Sequence, residues 1–234
     1  MLIAVFVCTP IKANEISFGM REVAPYVMKT ETGVSGLDYE IIAAALAQKG
    51  HSLSVKLYPF ARLVATFDAN PAIEAAAPVI SSFPVTGWLS EPFITYRNIA
   101  LSLAPANLSV NTIADLARFQ IIAFQNARNA LGAEFAAAVA HNSRYREESS
   151  QQLAVRILFN GRTDLVIGER RILNYFIQDP TTGIDRSIAP REHPLFAPIH
   201  YSVVFRNPAL AEDFNAGLAA IKASGLYDAI MQKY

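Results

Sequence analysis

The sequence predicts an α/β fold of mostly parallel sheets covered by helices. Short apolar or alternating runs of strand length recur along the chain, and amphipathic runs of helix length stand between them. No internal repeat, low-complexity tract or long linker interrupts that order. The chain has 234 residues, 52% hydrophobic and only 17% charged, which supplies apolar side chain for one large or two modest domains and argues against disorder.

Residues 16–20 alternate as a strand, and Ala24-Pro25-Tyr26 breaks it. Residues 33–36 are turn chemistry. Asp38 is placed to cap a helix that runs to Lys49 and stops at Gly50, with Leu37, Ile41, Ala45, Ile42 and Leu46 on its apolar stripe. Leu53, Val55 and Leu57 alternate as a second strand, residues 60–67 read as a helix, and residues 73–79 as a buried strand. Ile99, Leu101 and Leu103 mark another strand. Thr112 caps a short helix to Leu116, residues 119–124 are a strand, and residues 129–140 a helix. Ser149 or Ser150 caps the next helix, which ends at Asn160-Gly161; a short strand at 164–168 leads into a helix reaching Gln178. Residues 203–205 are a strand, and Asn207-Pro208 supplies a cap and a first-turn proline for a helix burying Phe214, Leu218 and Ile221. Gly225 ends that helix, and a short one carrying Leu226, Ile230 and Met231 closes the chain. In parallel α/β sheets ligands sit outside the carboxyl ends of the strands, so the loops after residues 20, 58, 79, 124 and 168 are where function is expected.

Composition excludes several function classes. Lysine plus arginine and aspartate plus glutamate balance at 20 each, and no basic run breaks the balance, so no nucleic-acid partner is expected. His51, His141, His193 and His200 are scattered without metal-ligand spacing, and neither a serine nucleophile elbow nor a phosphate-binding glycine loop is present; no metal or cofactor is expected. Residues 2–8 form an apolar run followed by Thr9-Pro10-Ile11-Lys12-Ala13, the pattern of a secretory signal cleaved after Ala13. The run is too short to span a bilayer. Cleavage removes Lys12 and no acid, leaving a net charge of −1, and it removes Cys8, the only cysteine, so that the mature chain has no thiol chemistry. Val7 before Cys8 disfavours a lipoprotein anchor.

Six blocks in order carry a family resemblance. Gly36-Leu37-Asp38-Tyr39-Glu40-Ile41, Tyr58-Pro59-Phe60-Ala61-Arg62, Leu89-Ser90-Glu91-Pro92-Phe93, Ile113-Ala114-Asp115-Leu116, residues 158–168 and residues 214–234 resemble, over the whole mature chain, the periplasmic solute-binding proteins of the polar amino-acid uptake family (extracellular solute-binding family 3). The resemblance implies a type II periplasmic-binding fold: lobe 1 from residues 14–97 and 196–234, lobe 2 from residues 98–195, and two crossing strands as hinge. It implies a monomer that closes on a small polar ligand, an amino acid or a related amine or carboxylate, and hands it to the permease of an ABC importer or to a membrane sensor in the periplasm.

A zwitterion needs donors for its carboxylate and an acid for its ammonium. The resemblance assigns the ammonium to Glu169 and the carboxylate to the loop holding Asn126 and Arg128. The family's usual carboxylate-binding arginine has no counterpart, because no Arg lies between Arg62 and Arg97. Arg62 is a substitute, Ser81 a possible donor, and Tyr26 and Phe60 candidate cleft aromatics; Trp88 is a weaker one. The bland readings stand beside these. Glu169 at a helix start is also favoured by the helix dipole, Asn126 is also a helix cap, Arg62 is also a surface or interlobe ion-pair partner, and aromatics at such positions are more often core. The chain is not expected to be an enzyme. The alternatives are a cyclohexadienyl-dehydratase-like enzyme using Glu169 as its acid, and a regulatory sensor module.

Overall fold

A computed structural model describes residues 14–81 and 84–234, apart from the side chains of Phe60 and Ala61. The expected signal segment, with Cys8, lies outside the described residues. The described chain forms two compact units. Unit 1 comprises residues 14–22, 26–94 and 201–234; unit 2 comprises residues 23–25 and 95–200.

The first pass through unit 1 opens with β1 (Asn14–Arg21), which buries Ile16, Phe18 and Met20. A hairpin of β2 (Met28–Thr30) and β3 (Gly33–Ser35) follows, where the sequence suggested only a turn. Helix α1 (Leu37–Ala47) starts after Gly36, and Asp38 lies inside its first turn. Asp38 is therefore not the cap expected of it: it is fully buried, and its N–H donates to the Tyr26 carbonyl at 2.9 Å. Next come β4 (His51–Tyr58), α2 (Phe60–Ala69), the wholly buried β5 (Ala75–Val79), and then β6 (Trp88–Leu89); β7 (Ile94–Tyr96) begins on the last residue of this pass and continues into unit 2.

Unit 2 contains β8 (Asn98–Leu103), β9 (Ile121–Phe124), α3 (Ala127–Ala130), α4 (Ala133–Val139), β10 (Tyr145–Glu148), α5 (Gln151–Phe159), β11 (Leu165–Glu169), α6 (Arg170–Gln178) and β12 (Pro190–His193). The single helix expected over residues 129–140 is two, because Gly132 adopts φ 88°, outside the right-handed helical region. The sheet order is β10-β9-β11-β8-β12; β10, β9 and β11 are parallel, and β8 runs antiparallel to β11 and β12. The two-residue period of a strand divides its side chains between two cores. Ile99, Leu101, Ile122 and Val166 meet Ala154, Val155, Leu158 and Leu173 of α5 and α6. Ala100, Ile121, Ala123, Leu165 and Ile167 meet Leu116, Phe135 and Val139. Burial on both faces is why residues 165–167 read as a continuous apolar run.

The chain re-enters unit 1 through β13 (Ile199–Phe205), then α7 (Pro208–Ala223) and α8 (Leu226–Met231). Asn207 caps α7 by accepting from the N–H of Ala209 at 3.0 Å, with Pro208 in the first turn, as expected. The sheet order is β4-β1-β5-β13-β6, with β4, β1 and β5 parallel, and β13 antiparallel to β5 and β6. Both units are thus parallel trios extended by antiparallel strands. Leu63, Phe67, Ile73, Ala76, Val79 and Val204 pack one core cluster of unit 1, while Phe205 stacks edge-on against Phe18 and tilts against Phe214.

Candidate functional site

The parallel trio of unit 2 brings the carboxyl ends of three strands to one edge. β9 ends at Phe124, which is in register with Glu148 at the end of β10, and β11 ends beside them at Glu169. This edge holds three of the residues singled out from the sequence: Asn126, Arg128 and Glu169.

Glu169 is 4% exposed. Its Oε2 accepts from the N–H groups of Arg171 at 2.7 Å and Ile172 at 3.1 Å, which makes it the N-cap of α6, and its Oε1 accepts from the N–H of Arg97 at 3.2 Å. The residue therefore ends a strand and caps a helix. A carboxylate can be held in a buried position when backbone donors replace its lost hydration. Gly168 before it leaves room for the side chain of Gln151: a Cβ there would come within 2.6 Å of Gln151 Oε1. Gln151 is 8% exposed, and among the described residues that oxygen has no hydrogen-bond partner. The sequence reading missed Gln151, because a glutamine in a first helical turn is ordinarily solvated.

Asn126 takes the left-handed conformation, with φ 68° and ψ 20°, which an asparagine tolerates better than most residues. The turn aims the N–H groups of Asn126 and Arg128 at one carboxylate, that of Glu147 on β10, at 2.6 and 3.1 Å. The Tyr145 hydroxyl donates to the same Oε1 at 2.8 Å, and the Arg128 guanidinium lies over the Tyr145 ring at 4.9 Å. Partial burial raises the Glu147 pKa, but the N–H of Arg128, the Tyr145 hydroxyl, the N–H of Asn126 and the Arg128 charge outweigh it, and the net shift is downward. Burial first, and then the bond to Glu147, push the Tyr145 hydroxyl well up. An open recess of about 360 Å³ is lined by Asn126, Arg128, Asn129, Tyr145, Arg146 and Glu147. Glu147 and Tyr145 were not singled out from the sequence; their segment, Tyr145-Arg146-Glu147-Glu148, is too polar to read as a strand.

The other candidates belong to unit 1. Tyr26 is fully buried, Arg62 is exposed in the first turn of α2 after Pro59, and Ser81 is exposed in the turn after β5. Phe60 opens α2, and its side chain lies outside the described residues. Trp88, on the two-residue strand β6, is 57% exposed. Among the described residues no cluster of three or more His, Cys, Asp or Glu side chains is placed to hold a metal ion, and no helix is long and apolar enough to cross a membrane.

No protein-family model and no curated protein sequence matches the chain. Solved structures do. An ancestral arginine-binding protein bound to arginine is similar over 94% of this chain and 98% of its own, at 18% identity and a TM-score of 0.73. A histidine kinase sensor domain with similarity to periplasmic binding proteins is similar over 95% of this chain and 96% of its own, at 16% identity and a TM-score of 0.75. The arginine-, lysine-, histidine-binding protein ArtJ from the thermophilic bacterium Geobacillus stearothermophilus is similar over 94% and 95%, at 16% identity and a TM-score of 0.72. The chain therefore has the two-lobed α/β fold of periplasmic binding proteins, as its sequence blocks implied.

Proposed function

We propose that the protein is a periplasmic solute-binding protein for a small polar ligand, an amino acid or a related amine, which it delivers to an ABC importer or presents to a membrane sensor. The observation that carries this reading is Glu169. It is a buried carboxylate held by backbone N–H groups at the carboxyl end of a parallel strand, where α/β folds bind ligands and where a positive group gains a charge-assisted partner. Whole-chain likeness to proteins that bind arginine, lysine and histidine supports an amine-bearing ligand. Asn126 and Arg128 on the same edge, and Tyr26, Phe60, Arg62 and Ser81 in unit 1, are the further ligand residues of this proposal.

A thermal-shift screen against amino acids, opines, polyamines and small carboxylates tests the reading. Stabilisation by at least one amine-bearing compound, lost in Glu169→Gln, is the expected result. Indifference to the whole set, or conversion of prephenate or arogenate to an aromatic product, would refute it.

A further inference from the structure

We propose that Glu147 sets ligand specificity: it fills the backbone donors of Asn126 and Arg128 with the protein's own carboxylate, so that unit 2 turns away a ligand carboxylate there and the protein takes amines that lack one. The ligand class rests on the function proposed above; the occupancy of the donors does not.

Both oxygens of Glu147 are engaged, Oε2 by the N–H of Asn126, and Oε1 by the N–H of Arg128 and the hydroxyl of Tyr145. These are charge-assisted bonds, stronger than neutral ones. Helix α3 is four residues long and contributes no macrodipole, so the donors act as individual N–H groups, and both are used. Against partial burial, the two N–H groups and the Tyr145 hydroxyl lower the pKa of this carboxylate, and the charge of the Arg128 guanidinium, which lies over the Tyr145 ring, adds to them. A second carboxylate entering the recess would meet a like charge and spent donors. An intramolecular group also competes at an effective concentration on the order of millimolar or more, which a dilute free ligand cannot match. Glu147 lies on β10, and the donors it fills lie in the loop after the neighbouring strand β9, so the contact is built by the sheet and not by a local turn.

The test uses the whole protein, with acetate as the probe for the donors. In amide-resolved NMR of the wild type, the Asn126 and Arg128 signals should ignore acetate beyond a chloride control. In Glu147→Ala they should shift saturably, with an apparent affinity at least about tenfold tighter, equal to about 1.4 kcal/mol. Equal shifts in the two proteins, or none in the variant, would overturn the inference. Without acetate, the same two signals in the wild type should follow one acidic titration, displaced below the ordinary glutamate range, that Glu147→Gln abolishes. Its absence in the wild type overturns the inference even if Glu147→Ala does not fold. Calorimetry with agmatine and L-arginine, which share a guanidinium and differ by the carboxylate, then reads the ligand class. Agmatine should bind the wild type at least about tenfold tighter, and Glu147→Ala should close that gap. A wild type that prefers L-arginine overturns the specificity. Binding of neither overturns the amine class itself, while the acetate arm alone decides whether Glu147 holds the donors.

Discussion

Glu169 has one role seen in the structure and one that belongs to the proposed function, and the two separate experimentally. As the N-cap of α6 it satisfies two backbone donors of the first turn. In the proposed function its buried carboxylate also pairs with a ligand ammonium. Glu169→Gln keeps the shape and one acceptor but removes the charge. Without ligand the variant should lose about 0.5–2 kcal/mol, in the range of a weakened cap. Its affinity for an amine found in the screen should fall by about 2–5 kcal/mol, as for a truncated buried charge pair, mainly through faster release. Chemical denaturation of the free protein and calorimetry with the amine measure the two effects. A stability loss with unchanged affinity would reduce Glu169 to a structural cap. His193 offers a second test at this scale. It is buried, with Nε2 2.9 Å from the Ser102 hydroxyl. Burial, and then the Arg191 charge, lower its pKa from 6.5, only partly opposed by a bond to the Val110 backbone. The unfolded chain therefore binds the proton at higher pH than the folded one. The neutral ring's contribution to stability is complete above the unfolded value and falls away as pH drops from there through the folded pKa. Unfolding midpoints of the wild type should decline across that acidic window, and His193→Gln should flatten the decline.

At the scale of elements, the contact of α1 with α7 depends on a missing side chain. A Cβ on Gly217 would lie 1.9 Å from the Ala45 carbonyl oxygen, far closer than a non-bonded carbon can approach. The obstacle is backbone, so no rotamer relieves it. Gly217→Ala should force the helices apart and cost about 1–3 kcal/mol or more, despite the better helix propensity of alanine. Urea denaturation gives the answer. A variant as stable as the wild type would mean that the helices slide freely at this point. The caps behave differently, since Ser150 accepts from the N–H of Leu153 and Asn207 from the N–H of Ala209, each within three residues. Local interactions of this kind are legible in a sequence; the Gly217 contact spans far more of the chain and is not.

At the scale of the molecule, the proposed function predicts linkage. A ligand at about a hundred times its Kd adds about 2.7 kcal/mol of stability. For a chain of this size each kcal/mol moves the midpoint by about 2–4 °C, so a true ligand should raise Tm by about 5–10 °C. A shift that does not grow with the logarithm of ligand concentration would mark non-specific stabilisation. Two units with separate cores also allow more than one unfolding transition, so calorimetry is the appropriate measurement.

What the sequence determined by itself was local. Periodic and apolar patterns placed β1, β4, β8 and β9, and helices α1, α2, α5, α6 and α7, within a few residues of where they lie, because the helices each bury one stripe and the strands read as alternating or, where both faces are buried as in β8 and β9, as largely apolar runs. Strand β10 escaped because it is the edge strand of its sheet, partly exposed along its length, and its Tyr-Arg-Glu-Glu needs no apolar face. The reversal of β8 and β13 against the parallel trios also left no trace, since strand direction is set by connections and not by composition. Asn126, Arg128 and Glu169 could be named because they stand at or just after strand ends, the places where such folds bind ligands, and because the family resemblance assigns ligand groups to those positions. That Glu147, about twenty residues further on, fills the donors of the first two was decided only by the pairing of β10 with β9. Hydrogen bonds between sheet neighbours depend on register, and register is a property of the folded sheet, not of either strand's sequence.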